Sequence, residues 1–297
     1  MQQSMFISIG LPISLFIIMI GMGLGLTVTD FIKEAKHPRA AIAGSVGQLL
    51  VLPALGFLLV WGFDLSPAIA VGLVILASCP GGATSNVITY LARGNVALSI
   101  VVTAVASIAT IMTLPLFVNQ ALSWQFGRSA NVSMPIVDTI AMLVIIVLLP
   151  TGIGMLIRAK APNIAVRSEK ALNGFGALVL LSLIVLISYG LRDQLVGLLV
   201  QAGPACLLLN LLGISAGLGI ARIAGAEKVD QLAITVELGI KNSTIGILVA
   251  TTILGSQEMA IPSMVYGLTM YLFGAGLVAY GRSTIAVKTS GVGHTHW

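Results

Sequence analysis

The run Glu237-Leu238-Gly239-Ile240-Lys241-Asn242-Ser243-Thr244-Ile245-Gly246 lies inside an apolar stretch long enough to cross a membrane. It carries two opposite charges, an amide, two hydroxyls and two glycines. A charge placed in hydrocarbon costs about 3 kcal/mol even on the lenient insertion scale, so a chain that keeps two at that depth uses them. Glu237 and Lys241 are four residues apart and would face each other on one helical turn. The plainer alternative is an ion pair that only fixes helix packing. Gly239 and Gly246 weaken the helix at the same place, which favours the functional reading.

Working outward, the chain of 297 residues is 57% hydrophobic and 8% charged, against about 25% charged in a soluble domain. The fold class is therefore an all-α polytopic membrane protein, with no polar stretch long enough to fold alone. The net charge of +5 bears on membrane orientation and not on nucleic acid. Cys79 and Cys206 both fall in apolar segments and read as small packing residues. His37, His294 and His296 are in polar segments, which argues against haem or metal ligation in the membrane. An intramembrane protease would need a base or paired aspartates at depth. No His lies in a span, and Asp30, Asp64, Asp138, Asp193 and Asp230 fall in loops or at span ends. The first apolar run, which has no basic segment before it, reads as a spanning helix and not as a cleaved leader.

At about 20 residues per crossing, nine spans are expected: 5–27, 40–62, 66–92, 95–118, 134–157, 171–191, 195–221, 229–254 and 259–281. Asp30, Lys33, Glu34, Lys36 and Arg39 form a polar loop after the first, and Trp124 and Arg128 another after the fourth. With the N-terminus outside, twelve of the fifteen Lys and Arg fall on the inner side. Two, Arg128 and Arg192, fall outside, and Lys241 is in the membrane. That asymmetry puts the C-terminus inside. A short tail from Ser283 to Trp297 is expected to be disordered.

Two spans are interrupted: the third at Cys79-Pro80-Gly81-Gly82 and the eighth at Gly239 to Asn242. They run in opposite senses, and each break is followed by Asn. Paired broken spans in two halves of a chain point to an inverted repeat and a transporter binding site. The polar side chains expected at that depth are Gln48, Thr84, Ser85, Asn86, Ser99, Thr103, Glu237, Lys241, Asn242, Ser243 and Thr244. Lys241 aside, they are mostly hard oxygen ligands with one carboxylate, which suits an alkali cation. A channel would line its pore with repeated polar rings; one Glu–Lys pair between inverted breaks favours alternating access. A sensor that binds an anion without moving it is a third reading.

The segments Cys79–Ser99, Glu237–Asn242, and Gly21–Thr27 with Lys36-His37-Pro38 resemble the bile acid:sodium symporter family over nearly the whole chain. The resemblance implies a nine-helix form with panel and core domains. The panel would be 1–37 and 119–192, the core repeats 38–118 and 193–281, and the cytoplasmic tail 282–297. It implies a first sodium site at Ser85, Asn86, Ser99, Thr103 and Glu237. A second maps onto Gln48, Glu237, the carbonyls of Leu238 and Ile240, and a Gln that is Lys241 here. Since an ammonium has no lone pair to give, Lys241 is expected to act as a tethered cation in that second site, held by Glu237. At about 4 Å and an effective dielectric of about 20 that attraction is roughly 4 kcal/mol. A variant reading has Lys241 release its proton in one conformation, giving proton coupling. The resemblance further implies organic-anion substrates, bile-acid-like or small carboxylates such as pantoate. Thr84 and Asn242 would lie beside them, although family members often carry Thr-Ala where this chain has Ala83-Thr84. Tyr90, Tyr266 and Tyr271 read as packing or interface residues. One sodium ion or none, no organic cofactor, no nucleic-acid partner, a monomer and a bacterial inner membrane complete the expectation.

Overall fold

The computed structural model describes residues 9–36, 38–127 and 133–285. His37, Arg128, Lys288, His294, His296 and the tail beyond Ile285 lie outside the described residues. Among the described residues all regular structure is helical. In chain order the helices are α1 (Leu11–Leu24), α2 (Val28–Ala35), α3 (Pro38–Gly62), α4 (Pro67–Ser78), α5 (Ala83–Leu91) and α6 (Val96–Phe126). They continue with α7 (Ile136–Lys160), α8 (Pro162–Gly190), α9 (Leu195–Ile223), α10 (Lys228–Gly239), α11 (Ser243–Leu248) and α12 (Ile261–Thr284). Single π turns interrupt α3 at Gly47–Val51 and α7 at Val144–Leu148, and a third, Val249–Ile253, follows α11.

Among the described residues, six helical units can cross a membrane by length and composition: α3, α6, α7, α9, the unit Lys228–Ile253 and the unit Glu258–Thr284. The count reaches eight if each sharply bent pair is one span, α1 with α2 at 60° and α4 with α5 at 61°. The apolar part of α8, Gly174–Gly190, is shorter.

Three boundaries differ from the hydropathy reading, each for a local reason. The polar stretch after the first span is not a loop, because Val28–Ala35 is helical. Thr27 and Asp30 form a capping box there: the Asp30 amide donates to Thr27 Oγ1 at 3.3 Å and the Thr27 amide to Asp30 Oδ2 at 3.2 Å. This reciprocal pairing satisfies two of the amides a helix start leaves open. Trp124 is on α6 and not in a loop, and its ring stacks on Phe57 with centroids 6.2 Å apart. Finally, α8 starts at Pro162, where a proline suits the first helical position, so Arg167 is helical.

α1 packs on α7 and α8. Gly23 of α1 and Gly154 of α7 allow the closest approach: a Cβ on Gly23 would strike the Thr151 carbonyl, and one on Gly154 the Ile20 carbonyl. Small residues at such crossings let membrane helices gain dispersion contact where lipid offers no hydrophobic drive. α4 packs on α3, α6 and α12, and α9 on α10 and α12. The unit Lys228–Ile253 is the most enclosed of the six, with 94% of its apolar window buried against 33–56% for the others. The run that carries Glu237 and Lys241 is thus the centre of the bundle.

The turn from α5 to α6 is tight. Arg93 takes φ 64° at a position that usually favours glycine. The Gly94 amide donates to the Thr89 carbonyl at 2.8 Å and the Arg93 amide to the Tyr90 carbonyl at 3.0 Å, which is a Schellman closure. The Arg93 guanidinium donates to the carbonyls of Arg282 and Ile285, at 3.2 and 2.9 Å, and so caps the end of α12.

Candidate functional site

The two interrupted stretches are where the backbone breaks. Pro80 has no N–H and biases the residue before it toward extended geometry, and Cys79 sits at φ −69°, ψ 147°. At the second break Ile240 is extended (φ −118°, ψ 116°), and Asn242 caps α11 by accepting the Ile245 amide on Oδ1 at 3.3 Å. The breaks touch, since the Asn242 amide donates to the Pro80 carbonyl at 2.9 Å. Backbone freed at membrane depth must find partners in the protein. The Gly239 carbonyl accepts from Tyr266 Oη at 2.8 Å and from Asn210 Nδ2 at 3.2 Å. Tyr266, expected to pack, thus also satisfies a break.

Glu237 is fully buried at the end of α10. Ser85 of α5 and Ser99 of α6 both place their hydroxyls 2.6 Å from Oε1. Thr103, one turn beyond Ser99, lies 2.9 Å from both carboxylate oxygens. Ser85 Oγ is also 2.6 Å from the Gly82 carbonyl, and Ser99 Oγ 2.9 Å from Asn86 Oδ1. Each hydroxyl has one proton to donate. Three hydroxyl protons therefore face six short oxygen–oxygen approaches. An oxygen cluster short of protons, with one carboxylate, suits a hard cation. Among the described residues no group of three or more His, Cys, Asp or Glu could hold a metal ion. Gly81 lets the first break lie directly on this carboxylate, because a Cβ there would collide with Glu237 Oε2.

Lys241 does not face Glu237. Among the described residues the single ion pair within 4 Å is Arg192 with Asp193, at 3.7 Å. The expected i, i+4 pair fails because α10 ends at Gly239, so the two residues share no helical turn. The Lys241 ammonium instead donates to Gln48 Oε1 at 2.8 Å and to the Cys79 carbonyl at 3.1 Å. Lys241 is 2% exposed and Gln48 1%, so the ammonium is met by neutral oxygens inside the bundle. Gln48 belongs to the π turn of α3, a deformation often found at functional sites. Leu238 and Ile240 flank Gly239 and are fully buried. Cys79 and Cys206 are buried free thiols, and it is the Cys79 carbonyl that the first break puts to use.

Two cavities adjoin the crossing. One, about 210 Å³, is lined by Thr84, Lys241, Asn242, Ser243, Thr244 and Tyr271 among others. The second, about 270 Å³, reaches Asn86 and Tyr90 beside Gly21 of α1 and Gly25 just after it. Of the residues expected at the site, Ser85, Ser99 and Thr103 converge on Glu237, with Asn86 bonded to Ser99. Gln48 and Lys241 meet apart from them, and Thr84 and Asn242 share a cavity.

Sequence reasoning passed over Asn210 and Asn95, and read Gly81 only as part of the first break. Asn95 caps α6 by accepting the Leu98 amide at 3.2 Å, while its Nδ2 donates to Asp230 at 2.8 Å and Glu34 at 3.2 Å. The capping preference of Asn before an apolar helix was a readable signal for it; no local signal marks Asn210.

Discontinuous helices meeting in the middle of an apolar bundle define a membrane-carrier architecture. Residues 12–198 match the profile of the Sodium Bile acid symporter family, and the chain belongs to that family. It is 30% identical over 288 residues to the "Uncharacterized sodium-dependent transporter YocS" of Bacillus subtilis, covering 96% of this chain and 87% of that one. It is 30% identical to the rice "Probable sodium/metabolite cotransporter BASS2, chloroplastic", over 91% of this chain and 63% of the relative. To the human ileal sodium/bile acid cotransporter it is 28% identical, over 81% and 68%. The protein is a membrane transporter of a sodium-coupled family and not an enzyme.

Proposed function

We propose that the protein is a secondary active transporter that carries an organic anion by alternating access. One sodium ion would drive it from the site formed by Ser85, Asn86, Ser99, Thr103 and Glu237. The observation that carries this reading is the oxygen cluster with fewer protons than contacts around Glu237. The names of the relatives, which are sodium-dependent and sodium/metabolite transporters, support it. Thr84 and Asn242, on the cavity beside the crossing, are the proposed substrate contacts. Nine spans with the N-terminus outside, two inverted repeats moving as a core against a panel, and a monomer in a bacterial inner membrane complete the proposal.

Lys241 has its own part. Its ammonium rests on Gln48 and a break carbonyl, which are neutral oxygens able to bind a cation. We infer that it is a tethered cation that replaces the second sodium. It does so without contacting Glu237, so its holding force is charge–dipole and not ion pairing.

Uptake into proteoliposomes, with sodium and pH gradients imposed separately, tests both parts. The expected outcome is sodium-driven uptake with a Hill coefficient of about 1. Lys241→Gln is expected to raise it toward ~2. A wild-type coefficient near two would overturn the tethered cation. Uptake driven by a proton gradient alone would favour the second reading, in which Lys241 releases its proton during the cycle.

A further inference from the structure

The hydrogen bonds at the second break show what keeps α10 and α11 from joining into one helix. In a continuous α-helix the Asn242 amide would donate to the Leu238 carbonyl and the Ser243 amide to the Gly239 carbonyl. The Asn242 amide instead donates to the Pro80 carbonyl at 2.9 Å, and the Ser243 amide turns to the Lys241 carbonyl at 3.0 Å. The Gly239 carbonyl accepts from Tyr266 Oη at 2.8 Å and from Asn210 Nδ2 at 3.2 Å.

One donor would satisfy a carbonyl freed at membrane depth. This one receives two, from α9 and from α12. They fill both of its lone pairs and leave none for the Ser243 amide. Both side chains are fully buried, and a buried polar group is costly unless it is bonded. Asn210 Oδ1 has no partner in the protein, so the bond to Gly239 is the contact that holds this amide. α9 lies directly on the break: a Cβ on Gly239 would strike Ile214, and one on Gly213 the Leu238 carbonyl.

The break decides the partner of Lys241. On a continued turn, Lys241 and Glu237 would face each other. With α10 stopped at Gly239, the ammonium lies on Gln48 and the Cys79 carbonyl. The Glu237 carboxylate is met by the hydroxyls of Ser85, Ser99 and Thr103. An ammonium on that carboxylate would neutralise the charge that draws a sodium ion and compete with the ion for its oxygens.

We propose that Asn210 and Tyr266 are positioning residues for the cation site. By filling the Gly239 carbonyl they hold the helix broken, which keeps the Lys241 ammonium on Gln48 and leaves Glu237 to sodium. This rests on the reading of Glu237 as a sodium ligand.

The test is a sodium titration of the purified full-length protein at constant ionic strength, read as the rise in unfolding temperature that bound sodium produces. Tyr266→Phe with Asn210→Leu removes both donors and keeps the shape of both side chains. The sodium concentration for half the effect is expected to rise at least about tenfold. In a Lys241→Met background no ammonium can reach Glu237, and the same pair is expected to shift it by less than about twofold. Tyr266→Phe alone, expected to act in the same direction, serves if the paired variant does not fold. Lys241→Gln serves as the background if Lys241→Met does not fold. An equal shift in both backgrounds would mean that the two donors only hold the fold together, and overturns the inference. An unchanged sodium dependence with Lys241 in place overturns it too. If the wild-type protein shows no sodium-dependent rise, the reading of Glu237 as a sodium ligand fails, and this inference with it.

Discussion

Glu237 is surrounded by donors that each serve two acceptors, and this is where single substitutions should be most telling. Glu237→Gln keeps the shape and removes the charge that a bound cation would need. Sodium stimulation of uptake is expected to fall by at least about a hundredfold, given ~3 kcal/mol for a charge–oxygen contact in a buried cluster. Uptake rates across a sodium titration measure it, and retained sodium stimulation would rule out a role for this carboxylate in binding the cation. Gly81→Ala asks about close approach: its added methyl would run into the Glu237 carboxylate. Overpacking of this kind costs about 1–3 kcal/mol. The expected result is a lower unfolding temperature together with weaker sodium stimulation. An unchanged sodium dependence would show that the carboxylate can move aside.

At the scale of elements, the device is a pair of broken helices stitched together. Tyr266 and Asn210 meet the carbonyl left open at Gly239, and the Asn242 amide meets that of Pro80. Asn95 joins three elements at the other end of the broken pairs: α2 through Glu34, α6 as its cap, and α10 through Asp230. Asn95→Ala should cost about 1–2 kcal/mol for the cap alone, read as a lower unfolding temperature in detergent. Because α2 continues from α1, the same change should alter the rate of uptake more than the affinity for sodium. Equal effects on rate and sodium affinity would mean that Asn95 acts only through stability. Arg93 pays for its left-handed backbone with the hydrogen bonds it gives to the end of α12.

For the whole molecule, the tethered cation has an electrical consequence. One sodium ion moving with one monoanion carries no net charge, whereas two would carry one positive charge. Moving a unit charge through a membrane potential is worth about 2.3 kcal/mol per 100 mV. Wild-type uptake should therefore be indifferent to an imposed potassium diffusion potential, and uptake by Lys241→Gln should be accelerated by an inside-negative one. Stimulation of the wild-type protein by that potential would contradict a coupling of one sodium to one monoanion.

The amino-acid sequence by itself determined that the chain is helical and built for a membrane, because hydropathy and the scarcity of charge are local properties summed along it. It also located both breaks, since Pro80 and the glycines act on the backbone of their own segment. The choice of Ser85, Asn86, Ser99, Thr103 and Glu237 as a group came from resemblance. What brings them within bonding distance is long-range: Ser85 and Glu237 are 152 residues apart. Only the tertiary structure decided the partner of Lys241. Sequence spacing assumed a continuous helix and paired it with Glu237. The break at Gly239 turns the lysine away, and Gln48, 193 residues distant, lies within its reach. Spacing along a chain predicts contacts only while the helix continues, and in this protein the helix stops between the two charges.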